Sequence, residues 1–248
     1  MDKTKIDWAD MSWNPITGCL HGCEYCYAWH IAERFGNKYL PYGDGTINVL
    51  EAPMDGEKGI DPYPFGFEPT FHRYRLGEPV RKRRPRNIFV CSMADLFGEW
   101  VPDEWIQAVF AACKAAPQHR YLFLTKNPER YKEIQFKIPL PTSDRYWYGT
   151  TLTGTDGETL RFSGKNCFLS IEPLLEPINA VDLWKRFGWV IIGAETGNRK
   201  DKVVPKREWI ESIVAECQIA GIPVFMKSNL RDVWGDDLIQ EYPWEDEK

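Results

Sequence analysis

Residues 189–193 read Trp-Val-Ile-Ile-Gly, an apolar run that suits a buried strand and is far too short to span a membrane. A helical pattern over 205–220 follows, with apolar residues at helical spacing, and Gly221 closes it. Another apolar run, 223–227, comes directly afterwards. This order of strand, helix and strand is typical of a parallel sheet that is covered on both faces.

The same rhythm recurs along the chain. Continuous apolar runs predict seven parallel strands, at 12–18, 88–92, 121–125, 146–150, 167–171, 189–193 and 223–227. Further helical patterns lie at 24–35 and 102–115. The pattern favours an α/β fold, a partial or complete (β/α) TIM-type barrel of about six to eight parallel strands, and a doubly wound open sheet is the alternative.

The domain organisation predicted from the sequence is simple. The chain has 248 residues, and we expect one domain over 1–235. Residues 37–86 are rich in Gly, Pro, Asp and Tyr, which predicts an irregular insertion. Residues 236–248 form an acidic, aromatic C-terminal tail that we expect on the surface. Residues 1–5 lead into no apolar segment, so we expect no secretory signal, no membrane association and a cytoplasmic, reducing location.

The net charge of −5 argues against a general nucleic-acid coat but leaves room for a local basic patch. The stretch 73–86 concentrates positive charge, with its cations at Arg73, Arg75, Arg81, Lys82, Arg83, Arg84 and Arg86. Aromatic residues lie beside them, a combination that suits a phosphate backbone and stacked bases. The stretch therefore indicates a nucleic-acid or nucleotide partner, and a solvated surface loop is the alternative.

Three of the seven cysteines, Cys19, Cys23 and Cys26, crowd into one short segment with C-x3-C-x2-C spacing. Thiolates are soft ligands that suit iron–sulfur clusters, zinc or Cu(I). Three thiolates can hold three irons of a [4Fe–4S] cluster and leave the fourth iron open to another ligand. Two alternatives are a zinc site completed by His21 or His30, which would fit a nucleic-acid-binding module without catalysis, and cysteines that merely pack.

This spacing, with the aromatic Tyr25 directly before the third cysteine, resembles the radical S-adenosylmethionine (radical SAM) superfamily. More narrowly, the chain resembles a phage- and prophage-associated radical-SAM-like family of unassigned function. That closer resemblance rests on residues 13–19, 26–28, 92–97, 124–130 and 170–174. It covers most of the chain, and the insertion matches least.

The resemblance implies that Cys19, Cys23 and Cys26 ligate a [4Fe–4S] cluster whose fourth iron is chelated by S-adenosylmethionine. Reductive cleavage would then give a 5′-deoxyadenosyl radical that abstracts hydrogen from a substrate. A reducing partner such as flavodoxin or ferredoxin would supply the electron. Nucleic acid or nucleotide is the substrate class that the basic stretch favours, which would fit DNA repair or base modification.

Polar residues at strand ends supply the remaining site predictions, because the carboxyl ends of parallel barrel strands share one face. Ser92 and Asp95 stand where the superfamily often carries a Gly-Gly-Glu-like motif. The predicted cofactor-binding residues are Tyr25, Ser92, Asp95, Thr125, Thr151 and Ser170. The predicted catalytic residues are Lys126, Glu172 and Glu195.

Overall fold

The computed structural model describes residues 1–36, 45–56, 59–154, 163–178, 184–197 and 199–244. The chain divides into two compact units, Met1–Tyr146 and Trp147–Lys248. Each unit combines helices with parallel strands, which confirms the α/β class. The single domain over 1–235 stays a prediction.

The first unit is built on a sheet in the order β1–β2–β8–β9. In chain order its strands are β1 (Asp2–Lys3), β2 (Met11–Trp13), β3 (Ile16–Thr17), β4 (Asn48–Leu50), β5 (Asp55–Gly56), β6 (Gly59–Ile60), β7 (Thr70–His72), β8 (Asn87–Val90) and β9 (Arg120–Thr125). Its helices are α1 (Tyr27–Phe35), α2 (Glu78–Arg81), α3 (Asp103–Lys114) and α4 (Glu129–Gln135). Strands β2, β8 and β9 run parallel, and β1 is antiparallel to β2.

The insertion is more regular than the sequence predicts. Strand β7 pairs with both β3 and β4 to make a second, three-stranded sheet. All three residues of β7 are buried, and the His72 ring is fully so. The described parts of 37–86 thus contain short strands within an otherwise irregular segment, and the sequence does not predict them because strands of two or three residues are too short to show periodicity. Residues 37–44 and 57–58 lie outside the described residues.

The second unit carries four parallel strands in the order β10–β11–β12–β13. The strands are β10 (Tyr146–Thr151), β11 (Gly164–Ile171), β12 (Phe187–Ile192) and β13 (Val224–Met226), and the helices are α5 (Arg207–Ala220) and α6 (Arg231–Trp234). One face of this sheet packs against α5, where Leu169 and Val190 meet Ile213 and Cys217 in a single buried cluster. Alternate strand residues thus face the helix, as a buried parallel sheet requires.

Aromatic rings cover the other face of this sheet, and part of that cover comes from the C-terminal tail. Tyr242 and Trp244 lie 5.7 and 5.2 Å from the Trp189 ring, between centroids. Phe225 also packs on Tyr242, at 5.2 Å. The backbone of the tail is bonded to β13 as well, since the amide of Met226 donates to Ile239 at 2.7 Å. The tail thus packs and forms hydrogen bonds on the second unit up to residue 244, and 245–248 lie outside the described residues.

The seven apolar runs all contain strands, as predicted. The run 12–18 divides into two, because Pro15 interrupts it and β2 and β3 join different sheets. Helix α1 begins at Tyr27 rather than at residue 24, since Cys26 serves as its N-cap. The sequence did not predict α4, whose seven residues are too few for a clear helical pattern. Among the described residues, we find no helix with the length and apolar character needed to cross a membrane.

Replacing both Tyr242 and Trp244 by Ala should lower the free energy of unfolding by about 2 kcal/mol, because two partly buried rings leave the Trp189 cluster. Urea denaturation with a circular dichroism readout measures the change. Phe136→Ala is the control, since that ring is 86% exposed and its loss should change stability by less than about 0.5 kcal/mol. Equal effects in the two variants would contradict a packing role for the tail.

Candidate functional site

The cysteine loop lies directly after β3 and before α1. Gly18 opens it with φ +86°, and a Cβ there would lie 2.2 Å from the carbonyl oxygen of Glu68. The Gly18 amide donates to Met93 at 2.9 Å, in the turn after β8, and the Cys19 amide donates to Phe67 at 3.2 Å. The start of the loop is thus fixed between two backbone segments that only a glycine could approach so closely.

The end of the loop is fixed by the start of the helix. The amide of Cys26 donates to the carbonyl of Cys23 at 3.1 Å, which closes a turn. The Cys26 sulfur then accepts from the Trp29 amide at 3.4 Å and so caps α1. This cap meets part of the unsatisfied hydrogen-bonding capacity at the helix N-terminus. Two of the three predicted metal ligands are therefore ordered by local backbone structure.

All three thiols are free and half-buried. The pKa of Cys19 is raised to about 12, chiefly by burial and less by the Asp95 carboxylate and the other two cysteines, while a hydrogen bond from the His21 backbone opposes the rise. Burial also raises the pKa of Cys26. Hydrogen bonds from the backbone of Trp29 and Ala28 oppose that rise, and the charge of Lys126 opposes it to a smaller extent. Cys19 and Cys26 are therefore held in the protonated thiol form, and binding a metal there would release protons.

The donor chemistry of the loop fits a thiolate-ligated metal group. It offers three soft donors within one loop, none of them in a disulfide. As the side chains stand, no three His, Cys, Asp or Glu groups in the described ranges are gathered to hold a metal ion. Binding would therefore require the thiols to turn toward one another. The loop has room at Gly22, where φ is +64° and nothing lies within 4 Å of an added Cβ.

A buried carboxylate, Asp95, joins the loop to the ends of two strands. Its Oδ2 atom accepts from His21 Nε2 at 2.7 Å, from the Thr125 hydroxyl at 2.9 Å and from the Lys126 amide at 2.9 Å. Its Oδ1 atom accepts from the Phe97 amide at 3.0 Å. Both oxygens are thus occupied, which makes Asp95 a positioning residue for the loop and the end of β9.

Lys126 points its charge at the same loop. Its Nζ atom donates to the Tyr25 hydroxyl at 2.9 Å and lies 5.0 Å from the centroid of that ring. The two residues are 101 positions apart in sequence. The structure thus brings together the predicted site residues Tyr25, Thr125, Lys126 and Asp95 around the three cysteines.

Ser92 lies in the turn after β8, on the same side of the first unit. Its hydroxyl donates to Asn14 Oδ1 at 3.2 Å, and the Met93 amide donates to the same oxygen at 3.1 Å. The neighbouring Cys91 adopts φ +60°, a left-handed conformation that a side chain other than glycine rarely takes. The hydroxyl oxygen of Ser92 keeps lone pairs that can accept a further hydrogen bond.

The other predicted residues belong to the second unit. Thr151 and Ser170 are register partners on β10 and β11, and the buried Ser170 hydroxyl has no hydrogen-bond partner among the residues that the structure describes. Glu172 pairs with Lys227. Glu195 is held by Arg199 through two bonds of 2.7 and 2.8 Å, which lower its pKa. Glu195 is thus held in an ion pair, and its catalytic role stays a prediction.

The basic stretch 73–86 falls into two parts. Arg73 pairs with Glu51 at 2.6 Å, and Arg75 donates to the carbonyl of Asn14 at 3.0 Å. Residues 81–86 are exposed and precede β8, whereas Asp95 follows it. The cations of 81–86 therefore lie at the end of β8 opposite the cysteine loop.

Two contributors were missed by sequence reasoning. Asn14 organises the turn after β8, and a polar residue at the end of a strand directly before Pro15 could have been added to the polar set. His21 was weighed only as a zinc ligand, yet it bonds Asp95, which lies 74 positions away. No local pattern in the sequence predicts the hydrogen bond between His21 and Asp95.

The fold and this loop define an α/β protein with three clustered thiols at the carboxyl ends of parallel strands. The chain matches the family described as protein of unknown function DUF5131 over residues 3–238, and it therefore belongs to that family. No curated protein and no solved structure matches it.

Gly18→Ala should destabilise the protein by more than about 2 kcal/mol, because the added methyl meets a backbone carbonyl at a positive φ. Gly22→Ala is the matched control. It also has a positive φ but meets nothing, so only about 1 kcal/mol should be lost. Thermal and urea unfolding of both variants measure the difference, and similar losses would contradict the close approach at Gly18.

Asp95→Asn should lower the free energy of unfolding by about 2–3 kcal/mol, because the amide nitrogen cannot accept the hydrogen bonds that one carboxylate oxygen now accepts. Asp103→Asn makes the same chemical change at a carboxylate with a partly exposed side chain, where about 1 kcal/mol or less should be lost. Urea denaturation compares the two. A larger loss at Asp103 would argue against Asp95 as the organising group.

Proposed function

We propose that this chain is a radical SAM enzyme built on a partial (β/α) barrel. The observation that carries the proposal is the loop of three free thiols, held at the carboxyl ends of parallel strands by Asp95 and faced by Lys126. Active sites of parallel α/β folds gather at this edge. Cys19, Cys23 and Cys26 would hold a [4Fe–4S] cluster, and its open iron would take S-adenosylmethionine.

When bound and reduced, such a cluster supplies the electron that cleaves S-adenosylmethionine to methionine and a 5′-deoxyadenosyl radical. The chain would contribute the ligands, their orientation and a partly buried setting that limits side reactions. Flavodoxin or ferredoxin, in a cytoplasmic setting, is the class of electron donor we propose.

Lys126 has a defined task in this proposal. Metal ligation needs thiolates, and burial of Cys19 and Cys26 opposes their ionisation. A cation beside the loop favours the charged form of the thiols and offsets part of that opposition. The hydrogen bond from Lys126 to Tyr25 holds the ammonium group at this place.

The sequence predicts both Asp95 and Ser92 as cofactor-binding residues, and we propose different roles for the two. Asp95 already accepts four hydrogen bonds, so it positions the loop rather than receiving the ammonium of a ligand. Ser92 keeps acceptor capacity on its hydroxyl oxygen and is the better partner for such an ammonium. Thr151, Ser170, Glu172 and Glu195 of the second unit stay predictions.

The decisive test is anaerobic reconstitution of the full chain with iron and sulfide. We expect about four irons per chain and, after dithionite and S-adenosylmethionine are added, formation of 5′-deoxyadenosine. Cys19→Ala, Cys23→Ala and Cys26→Ala should each lose both iron and product. Cys167→Ala, which removes a thiol buried in the core, should keep both.

A colourless protein that retains zinc and yields no 5′-deoxyadenosine would overturn the proposal. Retention of iron in the three loop variants would also overturn it, because the cluster would then have other ligands. Metal analysis and the absorption spectrum separate these outcomes without reference to a substrate.

A further inference from the structure

We propose that the N-terminal edge of the sheet in the first unit is a docking surface for the phosphate backbone of a nucleic acid. The surface, here called the arginine edge, consists of Arg81, Lys82, Arg83, Arg84, Arg86, Arg120 and Arg145. It lies apart from the cysteine loop, and its binding does not depend on the function proposed above.

The backbone brings residues from three separate parts of the sequence to this edge. The amide of Arg120 donates to the carbonyl of Arg86 at 2.9 Å, and the amide of Tyr121 donates to that of Arg145 at 2.7 Å. Arg86 and Arg145 therefore flank the start of β9. Because neighbouring strands lie about 4.8 Å apart, the row spans about 10 Å across the sheet.

The run 81–86 is anchored to this row rather than loosely attached. Gln118 donates to the carbonyl of Lys82 at 2.8 Å, and the ring of His119 lies 3.1 Å from the carbonyl of Pro79. Arg145 is tied to the same connection, since it donates to the carbonyl of Gln118 at 3.3 Å. A fixed row loses less conformational entropy on binding than a mobile loop would lose.

The charges of the arginine edge are available to a partner. Arg81, Lys82, Arg83, Arg84, Arg86 and Arg145 are exposed. Within the described ranges, no carboxylate forms an ion pair with Arg83 or Arg84, and both residues are exposed. A chain with net charge −5 thus concentrates exposed cations on one edge. Such a concentration attracts a polyanion.

The composition of the edge favours phosphate over a protein carboxylate surface. All but one of its cations are arginines, whose planar guanidinium presents a fork of donors that matches phosphate oxygens. Duplex DNA carries about one charge per 1.7 Å of axis, so a row of about 10 Å faces several phosphates at once. Acidic protein surfaces rarely maintain that charge density, and we therefore commit to nucleic acid.

The location also bears on the size of the ligand. Strand β8 separates the run 81–86 from Ser92 and Asp95, and its four residues rise about 10 Å between the first and last Cα atoms. A mononucleotide carries too few phosphates to contact the whole row of about 10 Å, whereas a polymer presents several phosphates along it. The geometry thus points to a polymeric nucleic acid held through its backbone.

The test measures binding of a fluorescein-labelled DNA duplex of about 20 base pairs to the full chain, by fluorescence anisotropy between about 50 and 200 mM salt. Arg83→Gln combined with Arg84→Gln should make the negative slope of log affinity against log salt shallower by about 2. The same pair should weaken binding on the order of tenfold at about 0.1 M salt. Arg145→Gln should make the same slope shallower by about 1.

Lys200→Gln combined with Lys202→Gln is the charge-matched control, because both residues follow β12 and so lie at the carboxyl end of the strands. It removes two exposed cations of the second unit and should leave both affinity and slope unchanged. Arg73→Gln is a second control, because Arg73 pairs with Glu51 outside the edge. Equal melting temperatures of all variants would exclude unfolding as the cause of lost binding.

Three results would overturn the proposal. In the first, the wild-type chain would fail to bind the duplex at about 50 mM salt. In the second, the control pair of substitutions would weaken binding as much as the Arg83/Arg84 pair does. In the third, polyglutamate displaces DNA at equal charge concentration, which would assign the edge to an acidic protein. None of these results bears on 5′-deoxyadenosine formation, so failure here is distinct from failure of the radical SAM proposal.

Discussion

The carboxylate of Asp95 is the group on which the organisation of the first unit depends. It is buried, and it accepts bonds from the cysteine loop through His21 and from the end of β9 through Thr125 and Lys126. A buried charge is tolerated only where its hydrogen-bonding capacity is filled, so every donor around Asp95 is constrained in turn. The loop, the end of the strand and the lysine thereby share one geometry.

Much of the fold could be predicted from the sequence. The strands were predictable because a sheet covered on both faces needs continuous apolar runs, as in β12 and β13. Helix α5 was predictable from helical spacing and a terminal Gly221, which adopts the left-handed conformation with φ +67°. The small sheet of β3, β4 and β7 could not be predicted, because strands so short are selected by their partners rather than by their own pattern.

The residues of the candidate site could be predicted from the sequence, but the hydrogen bonds that join them could not. The cysteine spacing identified the loop, and polar residues at strand ends identified Asp95, Thr125 and Lys126. Their joining could not be foreseen, since the bond between His21 and Asp95 and that between Lys126 and Tyr25 depend on how separated segments meet. The same applies to the arginine edge, where Arg145 joins residues 81–86 only through the start of β9. The sequence had instead grouped that run with Arg73 and Arg75, whose guanidinium groups are occupied elsewhere.

The aromatic rings of Tyr242 and Trp244 also bear on how the protein is made. The contacts that organise the cysteine loop come from residues 13–127, and the chain that forms them leaves the ribosome long before the second unit is finished. The second unit cannot complete its aromatic cluster until residue 244 has emerged, because Trp189 packs against the rings of Tyr242 and Trp244. Domains that form during synthesis do so from the N-terminal side. The residues that organise the thiol loop thus leave the ribosome before the residues that cover one face of the later sheet.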